Sequence, residues 1–426
     1  MGIKLGCIAD DFTGASDLAN NLVRAGMRVT QVIGIPSEDH AENSDAVVVS
    51  LKSRTITASD AITQSLAALK WLQQQGAQQI YFKVCSTFDS TAMGNIGPVT
   101  EALMKALGTD FTIATPAFPD NGRTVFKGYL FVGDVLLNES GMQNHPLTPM
   151  TDANLVRVLQ QQCVNKVGLT DYRATSNGPR AISDSFASHR ANKVGIAIVD
   201  ILSNQDLLAL GISLKGMPLI TAGSGVAIGL PQNFGISASQ AASHLPKAQG
   251  HQAIISGSCS IASNAQVKHF IDQGLPSFAI DPLAFLSADV KLESAAMNWA
   301  SKLFSDMDAG QRAQSPILIY STASPDRINE IQSKLGAQKA GELMEQTLAT
   351  IASGLVGIGV KQLIVAGGET SGACVQALGI KQLQIGPQID PGVVWCFAPQ
   401  GLHITLKSGN FGSTDFFSKA FKQLSY

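Results

Sequence analysis

Short apolar runs rich in β-branched residues recur along this chain, spaced so that a helix fits between most of them. That alternation constrains the fold more than any other feature. In the first half the runs are IKLGCIA (3–9), VTQVIGI (29–35), AVVVS (46–50), IYFKV (80–84), FTIAT (111–115) and VGIAIVD (194–200). The clearest helix between them covers 58–75, where Ile62, Leu66, Leu69 and Leu72 recur at three- and four-residue steps. Strands apolar on both faces and separated by helices predict a parallel sheet with right-handed crossovers. Residues 125–137 (VFKGYLFVGDVLL) carry β-rich runs broken by Gly128 and Gly133, an excursion from that sheet.

From Pro231 to Gln252 the text becomes PQNFGISASQAASHLPKAQGHQ, poor in large aliphatic residues, and reads as a connection. A second alternation follows. Strands are expected at 252–256, 316–322, 361–367, 392–397 and 402–407. Helices are expected over 261–273, 325–335, 339–357 and near 371–378, with a helical tail closing the chain. A length of 426 residues exceeds one ordinary core. The expected organisation is an N-terminal domain over 1–232, a linker over 233–251 and a C-terminal domain over 252–426. Both are α/β domains with a largely parallel sheet flanked by helices, and the active site is expected in the inter-domain cleft.

Charge narrows the function classes. Thirty basic side chains against 32 acidic ones leave net −2, with no basic stripe, which argues against a nucleic-acid partner. No apolar run approaches the roughly 18 residues of a membrane-spanning helix, and the N-terminus lacks a basic patch followed by a long apolar segment. The six cysteines are scattered, with no CxxC and no histidine at ligand spacing, so a zinc site is disfavoured. The expectation is a reduced cytoplasmic protein. An assembly of identical copies is possible.

Ligands of open parallel sheets bind beyond the carboxyl ends of the strands. Polar, glycine-rich text clusters there in both halves, with different chemistry. The second-half loops are SGSCS (256–260), AGGETSG (366–372) and LKSGNFG (406–412). They are mostly glycine and hydroxyl residues. Glycines let the backbone approach an anion, and the free N–H groups and positive dipole end of a following helix favour phosphate. One such loop means only a tight bend; three in one domain point to a nucleotide phosphate site. Standard motifs fail here. A P-loop would need glycine where Leu406 stands before Lys407-Ser408, and Gly223, Gly225 and Gly229 give GxGxxxG rather than GxGxxG. Glu369 either holds Mg²⁺ through water or supports the helix start.

The first-half loops, ADDFTG (9–14), LKSRT (51–55), KVCSTFDSTAMGNIG (83–97) and TPAFPDNGR (115–123), carry charge of both signs. That mixture suits a small polyhydroxylated acid. Arg54, Lys83 and Arg123 are candidates for its carboxylate, and Ser86 and Asp89 for its hydroxyls. Asp10 and Asp11 are the catalytic candidates. Acidic groups at a helix start also act as caps worth about 0.3–1 kcal/mol, yet two aspartates exceed what a cap requires. His145, in NHPLTPM, is either a base or a loop histidine satisfied by backbone.

These residues together resemble the four-carbon acid sugar kinase family over nearly the whole chain. The resemblance rests on IADDFTGASD (8–17), SLKSR (50–54), FKVCSTFDSTAMGNIGPV (82–99), the long string from Thr115 to Met150, ISGSCS (255–260), VAGGETSGACVQALG (365–379) and LKSGNFG (406–412). Ile261-Ala262-Ser263 departs from it, since relatives often carry Pro and Thr after SGSCS. The resemblance implies ATP-dependent phosphorylation of the C4 hydroxyl of a 3-oxo-tetronate, with Mg²⁺. It puts the sugar acid on the N-terminal domain and the nucleotide on the C-terminal one. ATP would contact Ser258, the segment Gly367, Gly368, Glu369 and Thr370, and Gly412, with Gly409 and Asn410 nearby. Threonate or erythronate kinases, an aspartyl-phosphate phosphohydrolase and a non-catalytic sugar-acid sensor are the alternatives. In the phosphohydrolase pattern a second Asp stands two residues after the nucleophile; two after Asp10 is Phe12.

Overall fold

The computed structural model describes residues 2–36, 44–144, 148–283, 292–306, 315–323 and 325–424. The chain divides into two compact units, Met1–Ser243 and His244–Tyr426. Among the described residues no helix is long and apolar enough to cross a membrane.

In the first unit, β1 (Leu5–Ala9), α1 (Phe12–Arg24), β2 (Val29–Ile33), β3 (Ala46–Ser50), α2 (Ala58–Gln74), β4 (Gln79–Lys83), α3 (Ile96–Leu107) and β5 (Thr112–Thr115) follow one another as strand and helix. The excursion over 125–137 is a separate three-stranded antiparallel sheet of β6 (Arg123–Phe126), β7 (Tyr129–Val132) and β8 (Val135–Leu136). It folds back where Lys127 and Gly128 take positive φ, and the buried Asp200 carboxylate accepts both of their N–H groups at 2.8 Å. The chain then returns through α4 (Leu155–Gln160), β9 (Lys166–Thr170), α5 (Tyr172–Thr175), α6 (Gly178–Ala191), β10 (Val194–Val199), α7 (Asn204–Ser213) and β11 (Leu219–Ala222). The main strands lie in the order β2-β3-β1-β4-β11-β5-β10-β9, all parallel.

Register sets the lip. Ala9 is level with Ser50 on one side and Lys83 on the other, so three neighbouring strands end together. The residues that follow them, Asp10, Leu51 and Val84, therefore emerge side by side. The strands themselves are fully buried, as the apolar runs require.

The second unit contains β12 (His251–Ser256), α8 (Ile261–Asp272), β13 (Ser277–Ala279), α9 (Leu292–Asp306), β14 (Ile317–Tyr320), α10 (Pro325–Leu335), α11 (Ala337–Gly357), β15 (Val360–Ala366), α12 (Gly368–Ala377), β16 (Gln382–Asp390), β17 (Val393–Ala398), β18 (Leu402–Lys407) and α13 (Phe416–Leu424). Its strands run β13-β14-β12-β15-β18-β17-β16; the first five are parallel, and β17 is antiparallel to both its neighbours. Trp395, Phe270, Phe416, Phe417 and Phe421 anchor a core that pins α8 and α13 to the sheet. Again the ends are level: Ser256 pairs with Ala366, and Ala366 with Lys407.

Candidate functional sites in the two units

In the first unit Asp10 is buried, and Arg54 grips it with both arms of the fork: Nε donates to Oδ2 and Nη2 to Oδ1, each at 2.9 Å. The backbone enforces this pairing, because Ser53 and Arg54 both donate their N–H to the Asp10 carbonyl. Asn95 holds the same loop from below, its Nδ2 donating to the carbonyls of Ser53 (2.8 Å), Arg54 (3.3 Å) and Ile56 (3.2 Å). Burial raises the Asp10 carboxyl despite the neighbouring Arg54.

Asp11 stands differently. It is the N-cap of α1, its Oδ1 accepting from the Gly14 N–H at 3.0 Å and its Oδ2 from Thr13 Oγ1 at 2.9 Å. Arg54 Nη2 also reaches its Oδ1, at 2.6 Å. Burial pushes its carboxyl up, but the Arg54 and Lys83 charges and the cap bonds hold it below the usual range. Its side chain is 25% exposed, against 5% for Asp10, so Asp11 is the more accessible of the two carboxylates.

Lys83 ends β4 in a buried position, donating to the Val84 carbonyl at 2.7 Å. Its charge acts on Asp10, Asp11 and Asp17. A Cβ on Gly14 would fall 2.9 Å from its Nζ and 2.3 Å from Asp11 Oδ1, so only glycine permits this approach. Asp17, one α1 turn further on, accepts from Ser224 Oγ, and burial raises its carboxyl. Asp89 joins the cluster through Arg54 Nη1 at 3.9 Å and accepts from Thr87 Oγ1 at 2.5 Å. Ser86 lies half-buried beside it, in a loop where the buried Phe88 takes a φ of +53°, an uncommon conformation for a bulky residue. Arg123 stands apart. It donates to the Asn121 carbonyl of its own turn, its Nε is buried without an acceptor, and among the described residues it makes no ion pair with the Asp10 cluster. His145 lies outside the described residues.

In the second unit three loops converge. Gly257 and Ser258 both donate N–H to the Ala366 carbonyl, and Gly367 donates to the Lys407 carbonyl at 2.8 Å. A Cβ on Gly367 would lie 2.8 Å from Thr370 Oγ1, and one on Gly409 would lie 2.4 Å from Ser258 Oγ. Gly367 is the N-cap of α12 with a φ of +131° and no side-chain cap, so the first N–H groups of that helix are left to solvent or a ligand. Gly368 has open space where a side chain would be. Glu369 is exposed, Thr370 is buried, and Asn410 is exposed on the third loop. Gln266 Nε2 donates to the carbonyls of Phe411, Gly412 and Ser413, each at 3.0 Å, fixing the bend where Gly412 takes a φ of +85°. Ser263, the departure from the family pattern, donates its hydroxyl to the Gly409 carbonyl at 3.0 Å.

Parts of this arrangement were missed in the sequence, Asp17, Asn95, Gln266 and Lys407 among them. Asn95 is one amide in a polar loop and carries no signal of its own. Lys407 does carry one: it is a cation ending an apolar strand, as Lys83 is. Among the described residues no group of three or more His, Cys, Asp or Glu gathers to hold a metal. The three loops contain a single carboxylate, Glu369. That donor set fits a Mg²⁺ that arrives on phosphate oxygens and needs one or two protein carboxylates at most.

Comparison with known proteins agrees with this division. The model of a sugar-binding N-terminal domain matches residues 5–230, and that of a nucleotide-binding C-terminal domain matches 253–417. The 3-oxo-tetronate kinase of Burkholderia multivorans is 54% identical over 426 residues, covering 99% of this chain and 97% of its own. Those of Cupriavidus necator and Haemophilus influenzae are 53% and 42% identical, covering 99% and 98% of this chain and 97% and 98% of their own. Among solved structures, a Salmonella typhimurium LT2 protein has a TM-score of 0.90 at 42% identity, covering 99% of both chains. Haemophilus influenzae protein HI1011 has 0.85 at 42%, covering 98% of this chain and 100% of its own. The chain belongs to the four-carbon acid sugar kinase family, a family of phosphotransferases.

Proposed function

We propose that the protein transfers the γ-phosphoryl group of ATP to the C4 hydroxyl of a 3-oxo-tetronate, working in the cytoplasm. The observation that carries this reading is the Gly367 cap of α12, bare of any side chain and level with the Ser258 and Gly409 loops. Uncharged backbone of this kind suits a triphosphate. Ser258, Gly367, Gly368, Thr370, Gly409, Asn410 and Gly412 form the nucleotide side. Glu369 would hold a Mg²⁺ that arrives with the nucleotide, and that ion would supply neutralisation of the phosphate charge.

The acid occupies the first unit. Arg54, already shared by Asp10, Asp11 and Asp89, offers its remaining edge to the substrate carboxylate together with Lys83, while Ser86 and Asp89 meet hydroxyls. Asp11 orients the attacking hydroxyl and accepts its proton; Asp10 keeps Arg54 and the lip in place. A carboxylate held below the usual range is a weak base, and that suffices, because a loose transition state asks mainly for alignment. In-line transfer requires donor and acceptor to be brought together during turnover, and excluding water at that moment limits ATP hydrolysis.

The test is a coupled ADP-release assay with ATP and Mg²⁺ across tetronates and 3-oxo-tetronates of both configurations, with the product's phosphate position read by phosphorus–proton NMR. A 3-oxo-tetronate that releases ADP and yields a 4-phosphate is the expected result. Turnover confined to threonate or erythronate, phosphate release without nucleotide, or acid binding without ADP formation would each replace the reading.

A further inference from the structure

Lys407 is the last residue of β18 and is fully buried. Its Nζ donates to Ser263 Oγ at 3.2 Å, to the Ser408 carbonyl at 3.1 Å and to the Gly409 carbonyl at 3.0 Å. All three acceptors are neutral. Among the described residues it forms no ion pair, and burial alone pushes its ammonium down to about 8. A buried cation without a counter-charge is costly to keep and calls for a reason.

The surroundings supply one. The Gly409 carbonyl that Lys407 holds also accepts from Ser260 Oγ at 2.6 Å and from Ser263 Oγ at 3.0 Å. Those two residues are the N-cap and first turn of α8, and Gly367, which donates to the Lys407 carbonyl, caps α12. An ammonium and two positive helix ends thus meet in one place, and the one carboxylate on the loops, Glu369, is exposed. Such a gathering of like sign destabilises the empty protein and complements a polyanion. Geometry adds to charge. In a planar trans peptide the N–H points opposite to the C=O, so three donors drawing the Gly409 carbonyl inward turn the Asn410 N–H the other way.

We propose that Lys407 is a positioning residue for the triphosphate, its caged ammonium supplying the positive charge behind the Ser408–Gly412 turn while fixing the direction of that turn's N–H groups. This rests on the nucleotide reading above. It does not touch the ligand, since every proton is already spent on the protein.

The experiment titrates ATP and adenosine separately, by calorimetry, into the wild-type protein and into Lys407→Met and Lys407→Gln. Wild type binds ATP. Both variants lose tenfold or more in ATP affinity while adenosine affinity stays within twofold, because only the phosphates feel the missing charge. ATP affinity within twofold of wild type in either folded variant overturns the proposal, as does an equal loss for adenosine, which signals a deformed pocket. The glutamine variant retains a buried polar donor and serves where methionine fails to fold. A wild-type protein that binds no ATP overturns the nucleotide reading itself, an outcome separate from the other two.

Discussion

Both units end a central parallel strand in a buried lysine, Lys83 on β4 and Lys407 on β18, and the two are treated in opposite ways. Lys83 lies in the field of three carboxylates, Asp10, Asp11 and Asp17, with Arg54 forked across two of them. Lys407 has hydroxyl and carbonyl oxygens only. The helix starts differ in the same sense: α1 is capped by the carboxylate of Asp11, α12 by a bare glycine. One lip carries its own counter-ions, so its charges of both signs stand paired before any ligand arrives. The other withholds them, leaving its positive potential for a polyanion to satisfy. Similar strand ends thus acquire opposite electrostatics from the residues placed next to them, as the proposed acceptor and donor sides require.

The largest effect is expected where the first lip meets chemistry. Asn is as good an N-cap as Asp. Asp11→Asn therefore keeps the α1 start and removes the charge that pairs with Arg54 and, in the proposed reading, faces the acceptor hydroxyl. Steady-state kinetics should show kcat down by about 10²–10⁴ with ATP affinity within twofold. An unchanged kcat would remove Asp11 from catalysis and leave it a helix cap.

Next in size is the consequence of stripping the counter-ion. Arg54→Met strips buried Asp10 of its forked partner and leaves only the Lys83 charge near it, which should cost about 3–5 kcal/mol of stability at pH 8. The Asp10 carboxyl, already raised by burial, rises further in the folded state of this variant. The folded form then holds a proton that the unfolded chain releases, so stability falls as pH rises through the folded value. Denaturation at pH 5 and pH 8 should show a smaller deficit at pH 5. A deficit independent of pH would mean that Asp10 stays ionised without Arg54.

How much of this was legible beforehand differs between fold and site. Polar text after apolar runs located both lips, because strands buried on both faces have a continuous apolar signature and break abruptly. The two-unit α/β architecture followed. Which strand ends are level did not follow, since β11 inserts between β4 and β5 although it comes after β10 in the chain. LITA (219–222) is too short a run to announce that insertion. Strand β16 was hidden by Gly386-Pro387, and its pairing with β17 slips between Ile385 and Gln388 to accommodate them. At the site, Asp10, Asp11, Arg54 and Asp89 could be nominated from charge and position, but not the fork that joins Asp10 to Arg54. That depends on Ser53 and Arg54 returning to the Asp10 carbonyl, a pairing across the sheet that sequence spacing does not encode.

A smaller effect sharpens the second lip. At Gly368 an added Cβ meets no atom within 4 Å beyond its own helix and chain neighbours, so Gly368→Val tests ligand space with little change to the fold. Nucleotide titration should show ATP affinity reduced by about tenfold, or about 1.4 kcal/mol, with the melting temperature within a few degrees of wild type. Normal ATP binding in that variant would take the phosphates away from the α12 start.

The smallest effect bears most directly on the contrast between the two lysines. Burial lowers the Lys407 ammonium from 10.5 to about 8. Below pH 8 both folded and unfolded chains carry that charge, and the folded state bears the whole desolvation penalty, about 3 kcal/mol. As pH rises from 8 to 10.5 the folded state sheds its proton first and the penalty disappears. Lys407→Met removes the penalty along with hydrogen bonds that offset part of it, so the nucleotide-free variant should be more stable than wild type by about 1–2 kcal/mol at pH 7. That advantage should vanish by pH 10, as measured by urea denaturation at the two pH values. A variant less stable than wild type by the same margin at both would make Lys407 an ordinary structural donor, and the two lips would then differ in composition without differing in purpose.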